Sequence, residues 1–247
     1  MTSFTKTLFG IYKRFFSGNY NLLLLFLVMI FIFRPYNPSF LYFGCWKIFL
    51  TATLVSAIFN CEHTKWVKTI ISFLAIPSLI LTWLDLFSDQ NIIVISFAFF
   101  TIIFIFVCTT SILYDVLLKA QVTLETLRGV ICAYFLVAFM FSYIYFLIEY
   151  IEPASFSIGG KAIPIFPYPY YLAQMLYLSF ITLLTIGFGD IVPIKDMGQT
   201  AVVLEGIIGQ FYIAILVSRL VGVYSFNSNK RLLETLEKDI RDAKINR

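Results

Sequence analysis

The sequence predicts an all-α membrane protein with six transmembrane helices and one further apolar helix too short to span. Three observations lead there. The 247 residues are 60% hydrophobic and only 13% charged, against roughly 25% charged in soluble domains. The mean hydropathy is +0.88. The apolar residues fall into runs close to the ~20 residues a spanning helix needs, with polar or Pro- and Gly-bearing connections between them.

The first run extends from Phe15 to Phe33. Its purely apolar part begins only at Leu22, and such a length also suits the hydrophobic region of a signal peptide. No small-residue cleavage site follows, because Arg34-Pro35-Tyr36-Asn37-Pro38 comes instead, so the sequence favours an uncleaved span. The second run is Phe40 to Phe59 and the third is Val67 to Phe87, with Pro77 inside it. Proline removes one helical hydrogen bond, which predicts a kink there. The fourth is Ile92 to Tyr114 and the fifth Gly129 to Ile148. A Pro- and Gly-rich loop from Glu149 to Tyr168 leads to a short apolar helix, about Tyr171 to Leu184. The sixth run is Thr200 to Tyr224, and a charged tail follows.

Charge placement supports this layout. With the N-terminus in the cytoplasm, the inner side collects Lys6, Lys13, Arg14, Lys65, Lys68, Lys119, Arg128 and the tail's Lys230, Arg231, Lys238, Arg241, Lys244 and Arg247. The outer side keeps only Arg34, Lys161 and Lys195. Positive charge stays inside in membrane proteins, so both termini are expected in the cytoplasm. Trp46, Trp66 and Trp83 fall near predicted interfaces, as an aromatic belt would.

Cys45, Cys61, Cys108 and Cys132 lie in or beside apolar runs without metal or redox spacing. Such cysteines act as small buried hydrophobes. The lone histidine, His63, sits in a polar connection and carries no assigned role. The spans hold no Ser/His set and no paired carboxylates, so the chain does not read as an enzyme. Little room remains for a soluble domain, and neither a cofactor nor a nucleic-acid partner is expected.

The most informative stretch follows the short helix: Thr185-Ile186-Gly187-Phe188-Gly189-Asp190, closed by Pro193. Gly187 and Gly189 tolerate positive φ, which lets the intervening residues turn their carbonyls to one side. A row of such carbonyls can replace the water shell of a cation. A bare G-x-G also suits a plain turn between two helices, but here Thr182 and Thr185 precede it and Asp190 follows. This T-I-G-F-G-D resembles the selectivity filter of the potassium channel family, usually T-V-G-Y-G-D. Residues from about 126 to 227 resemble the pore domain of tetrameric cation channels, and Glu205-Gly206-Ile207-Ile208-Gly209-Gln210 resembles an inner helix.

The resemblance implies a homotetramer of three identical subunits around the first, set in a lipid bilayer, with K+ as permeant ion. It implies a re-entrant pore helix, a filter at the outer face, and K+ coordination by Thr185, Ile186, Gly187 and Phe188. A bacterial-type six-span channel in a prokaryotic inner membrane is the expectation. The organisation would be a four-helix N-terminal domain over 1–114, an interfacial linker helix over 115–128, a pore domain over 129–227 and a cytoplasmic helix over 228–247. A weakly selective cation channel and a non-conducting scaffold subunit are the alternatives.

Departures from the family pattern carry their own expectations. Phe188 lacks the usual tyrosine hydroxyl, and Leu178 stands where a tryptophan often bonds it. This predicts a filter cuff that is packed rather than bonded, supported by Leu178, Thr182 and Glu205, with gating at the filter. Glu205 is expected to bond pore-helix or filter backbone. Gly209 is a gating-hinge candidate, or else a close-packing contact. Arg219 either snorkels to the inner interface or pairs with an acid. Ile92 to Leu113 holds no charged residue, so a conventional voltage sensor is absent. Lys47 and Asp85 fall at similar depth and form a possible intramembrane pair, which either fixes packing or lines a crevice for an ion or lipid. The tail helices either bundle as a short coiled coil or extend the inner helix into solvent.

Overall fold

A computed structural model describes residues 20–33, 40–60, 65–84, 91–118 and 123–245. Seven helices order the described chain: α1 (Asn21–Ile32), α2 (Phe40–Asn60), α3 (Lys65–Leu84), α4 (Asn91–Leu118), α5 (Leu124–Ile151), α6 (Tyr168–Leu183) and α7 (Asp196–Ile245). Three of them have stretches long and apolar enough to cross a membrane, Ile92–Val116, Leu124–Ile151 and Asp196–Arg219. The apolar stretches Asn21–Ile32, Gly44–Ile58 and Lys68–Leu84 are shorter.

The N-terminal helices pack in sequence order, α1 on α2, α2 on α3 and α3 on α4. The fifth helix is the hub, touching α1, α4, α6 and α7. Its buried aromatics explain why. The Tyr143 ring meets Phe97 of α4 edge-on at 5.6 Å, and Phe146 meets Tyr171 of α6 at 6.1 Å. Phe180 of α6 sits between Phe135 of α5 and Phe31 of α1, each with ring centroids 5.1 Å away. Edge-to-face pairs of this kind add to area burial. Pro77 lies inside α3. The hydroxyls of Ser78, the next residue, and of Thr82 donate to the carbonyls of Leu74 (3.0 Å) and Ser78 (2.6 Å).

Of the expected linker over 115–128, residues 115–118 finish α4 and residues 124–128 begin α5, while residues 119–122 lie outside the described residues. Thr123 explains the new start, because its side chain accepts from Thr126 N while Thr126 Oγ1 accepts from Thr123 N, both at 3.3 Å. That reciprocal capping box satisfies amide groups that a helix start leaves open. Arg128 adds a bond to Glu125 at 3.1 Å. The loop after α5, expected without strands, folds into part of a three-stranded sheet of order β2-β1-β3: β1 Phe156–Ile158, β2 Lys161–Ala162 and β3 Ile191–Pro193.

The hairpin turns through Gly159 (φ 56°) and Gly160 (φ 79°), as a two-residue turn with both central residues left-handed requires. Antiparallel pairing of Phe156 with Pro193 and Ile158 with Ile191 then ties the loop to the segment just after Asp190. Lastly, the sixth run and the tail are one helix, α7, of 50 residues.

Candidate functional site

Helix α6 and the loop after it build the site. The helix ends in a tight knot of backbone bonds: Leu184 N donates to Phe180 O (2.9 Å) and Thr185 N to Thr182 O (2.9 Å). The Ile181 carbonyl accepts from both Ile186 N (2.8 Å) and Gly187 N (3.2 Å). The inner half of the loop therefore hangs from the last turn of α6. The loop then alternates: Thr185 has φ 57°, Gly187 53° and Gly189 74°, while Ile186 and Phe188 keep ordinary negative φ. Backbone that alternates in this way turns successive carbonyls in one direction, the geometry of a cation-coordinating row.

The sequence credits the two glycines with this freedom and misses Thr185. A β-branched residue at positive φ costs of order 1–3 kcal/mol and persists only where its surroundings impose it. The Ile181 carbonyl knot supplies that constraint. All six residues from Thr185 to Asp190 are exposed in the single chain, Phe188 at 69%.

The filter-support residues separate into two groups. Leu178 is buried and Thr182 Oγ1 donates to Leu178 O at 2.8 Å. The cuff is not purely packed, however. Tyr177 O–H donates to Asp190 Oδ2 at 2.8 Å, so a polar staple survives at the outer end. Successive residues of a helix turn by about 100°, which puts Tyr177 toward the loop and Leu178 into the core. The adjacent tyrosine in the sequence was the signal for this bond.

Glu205 is fully buried on α7. It bonds side chains rather than backbone: Tyr145 O–H of α5 donates to Oε2, and the Ser179 hydroxyl of α6 meets Oε1. Ser179 Oγ also lies 2.9 Å from the Ala138 carbonyl of α5. A buried carboxyl is costly unless its lone pairs are satisfied, and here three helices meet to satisfy it. Tyr145 and Ser179 escape sequence reasoning, because a tyrosine and a serine within apolar runs look like interface and packing residues.

Gly209 faces the end of α6. A Cβ there would lie 2.9 Å from Leu183 Cδ2 and 3.1 Å from Leu183 O, so the two helices approach closely at this glycine. Arg219 is half-buried on α7. Lys47 is buried on α2, its ammonium 5.9 Å from the centre of the Tyr168 ring at the start of α6; Asp85 lies outside the described residues. Glu149 at the end of α5 accepts from Ala154 N (2.6 Å), Ser155 N (3.0 Å) and Tyr171 O–H (3.2 Å), which anchors the hairpin to α6. Among the described residues no cluster of His, Cys, Asp or Glu is arranged to hold a metal ion.

Below the loop, an open hollow of about 570 Å³ is lined chiefly by Thr185, Val203, Ile207, Gln210, Phe211 and Ala214. One face of α7 thus looks onto the hollow, while Glu205, Gly209 and Tyr212 turn the other way.

Comparison with known proteins gives one match. Residues 133–225, which hold α6, the loop and the membrane part of α7, match the family model described as ion channel. No curated protein and no solved structure matches the chain. The match and the apolar helices make this an integral membrane protein with an ion-channel domain over residues 133–225.

Proposed function

We propose that the chain is one quarter of a homotetrameric, potassium-selective channel that conducts passively across a prokaryotic inner membrane. The alternation of φ along Thr185 to Gly189 carries this reading. One chain supplies one side of a coordination cage, with carbonyls of Thr185, Ile186, Gly187 and Phe188 as ligands for K+, and a cage needs four such sides. The exposed apolar surface of α7 supports the assembly, because beside the hollow it offers Leu204, Ile208 and Ile215 to neighbours rather than to its own chain. In this reading α6 is the pore helix, α5 the outer helix and α7 the inner helix.

Six spans with both termini in the cytoplasm follow from the charge layout. The fourth span carries no charge from Ile92 to Leu113, so membrane voltage does no work on it. Permeation takes no cofactor: ions move between adjacent carbonyl sites.

Potassium efflux from proteoliposomes loaded with potassium tests the function. Efflux that exceeds sodium efflux by at least about tenfold is expected of a carbonyl filter. Equal efflux of both ions selects the weakly selective alternative, and no efflux selects the scaffold.

A further inference from the structure

The inner helix meets its neighbours at three successive levels on one face. At the first, Glu205 joins Tyr145 of α5 and Ser179 of α6. At the second, Gly209 sits against Leu183, so close that a Cβ would meet both its side chain and its backbone. At the third, Tyr212 O–H donates to the Val130 carbonyl of α5 at 2.5 Å, and its ring stacks at a tilt on Tyr134 at 5.3 Å. These positions span seven residues, about 10 Å of helix. By contrast, nothing lies within 4 Å of a Cβ built at Gly222.

We infer that residues 205–212 of the inner helix are clamped to the pore and outer helices as one body, with Tyr145 and Tyr212 as positioning residues and Gly209 as a contact rather than a hinge. The consequence rests on the channel reading: bending of the inner helix that opens or closes the pore takes place below Tyr212, and the filter cannot be moved independently of the Glu205 level. The Ile181 carbonyl that holds Ile186 and Gly187 lies between Ser179 and Leu183, the two pore-helix positions that the clamp grips. A hinge at Gly209 would have to part Leu183 from the inner helix each time the pore moved.

Second-site rescue separates contact from hinge. Gly209→Ala is expected to lower potassium efflux from proteoliposomes by about tenfold or more, the scale of a mis-packed core site. Leu183→Val removes the Cδ2 atom at 2.9 Å but leaves the Leu183 carbonyl at 3.1 Å, so it should restore part of the lost efflux in the Leu183→Val/Gly209→Ala double variant. A hinge predicts no rescue, since trimming Leu183 returns no backbone freedom; a double variant no better than Gly209→Ala, or a Gly209→Ala protein with full efflux, overturns the clamp.

Amide hydrogen exchange on the unmodified protein in lipid reads the clamp without any need for conduction. Residues 205–212 should exchange at least about tenfold more slowly than residues 216–222, and Tyr212→Phe should narrow that gap. Equal exchange along both segments overturns the clamp, whereas absent efflux with the gap intact overturns only the channel reading.

Discussion

Helices α5 and α7 are alike in composition and opposite in placement. Their membrane segments have mean hydropathies of 2.2 and 1.9, yet 67% of the apolar window in α5 is buried inside the chain and only 17% of that in α7. Hydropathy measures what a helix avoids, which is water. It says nothing about what covers the helix. The outer helix is covered by its own chain, through Tyr143, Phe146 and the α6 contacts. Helix α7 has one committed face, at Glu205, Gly209 and Tyr212; in the proposed tetramer the rest is left to neighbouring copies and to the pore. Polar residues follow the divide: Ser142, Tyr145 and Glu149 of the covered helix bond within the chain, while Gln210 and Thr185 border an open hollow.

The largest effect is expected where backbone geometry carries function. Gly187→Ala places a side chain at φ 53°, at a cost of about 1–2 kcal/mol in each of four chains. Potassium efflux should vanish while helix content by circular dichroism stays unchanged; retained efflux would detach function from this loop. Next comes a matched pair of substitutions that probes the contrast directly. Phe146→Ala on the covered helix should lower stability by about 3–5 kcal/mol. Phe211→Ala on the uncovered helix should change stability by no more than about 0.5 kcal/mol, yet alter conduction, because Phe211 lines the hollow. Chemical denaturation in detergent and single-channel recording read the two halves of that comparison, and equal destabilisation would erase it.

Tyr145→Phe removes one donor from the buried Glu205 carboxyl. An unsatisfied buried group costs about 1–3 kcal/mol, so this variant should lower the thermal midpoint and loosen potassium-over-sodium discrimination. A Glu205→Gln background should blunt the effect, because Tyr145 and Glu205 share the bond that both substitutions disturb. The smallest change is Tyr177→Phe, which loses the bond to Asp190 worth about 0.5–1.5 kcal/mol net. Faster decay of potassium current with an unchanged denaturation midpoint would place that bond at the filter mouth; identical decay would show it idle.

The contrast also explains what the sequence reveals and what it hides. Apolar runs in the sequence coincide with each of the seven described helices, since lipid and core impose the same composition on each. The motif Thr185 to Asp190 was legible because only glycine enters left-handed backbone cheaply, and its pattern is short-range. Thr185 at φ 57° was not, because a tertiary knot at Ile181 overrides that residue's own preference. The sheet of β1 with β3 joins residues 156–158 to 191–193 across the whole of α6, a pairing that no local pattern encodes. Glu205 stood out as a charge in an apolar run, but its partners Tyr145 and Ser179 lie 60 and 26 residues away in the chain. The sequence shows a glycine at 209 but not its neighbour, Leu183, whose Cδ2 lies 2.9 Å from where a Cβ would stand.

The central claim is that the loop at the end of α6, repeated four times, passes potassium and excludes sodium. Planar-bilayer recording of the purified protein with potassium on one side and sodium on the other tests it most directly. A reversal potential close to the potassium equilibrium value is the predicted result, and a reversal near zero millivolts in the same gradient would contradict it.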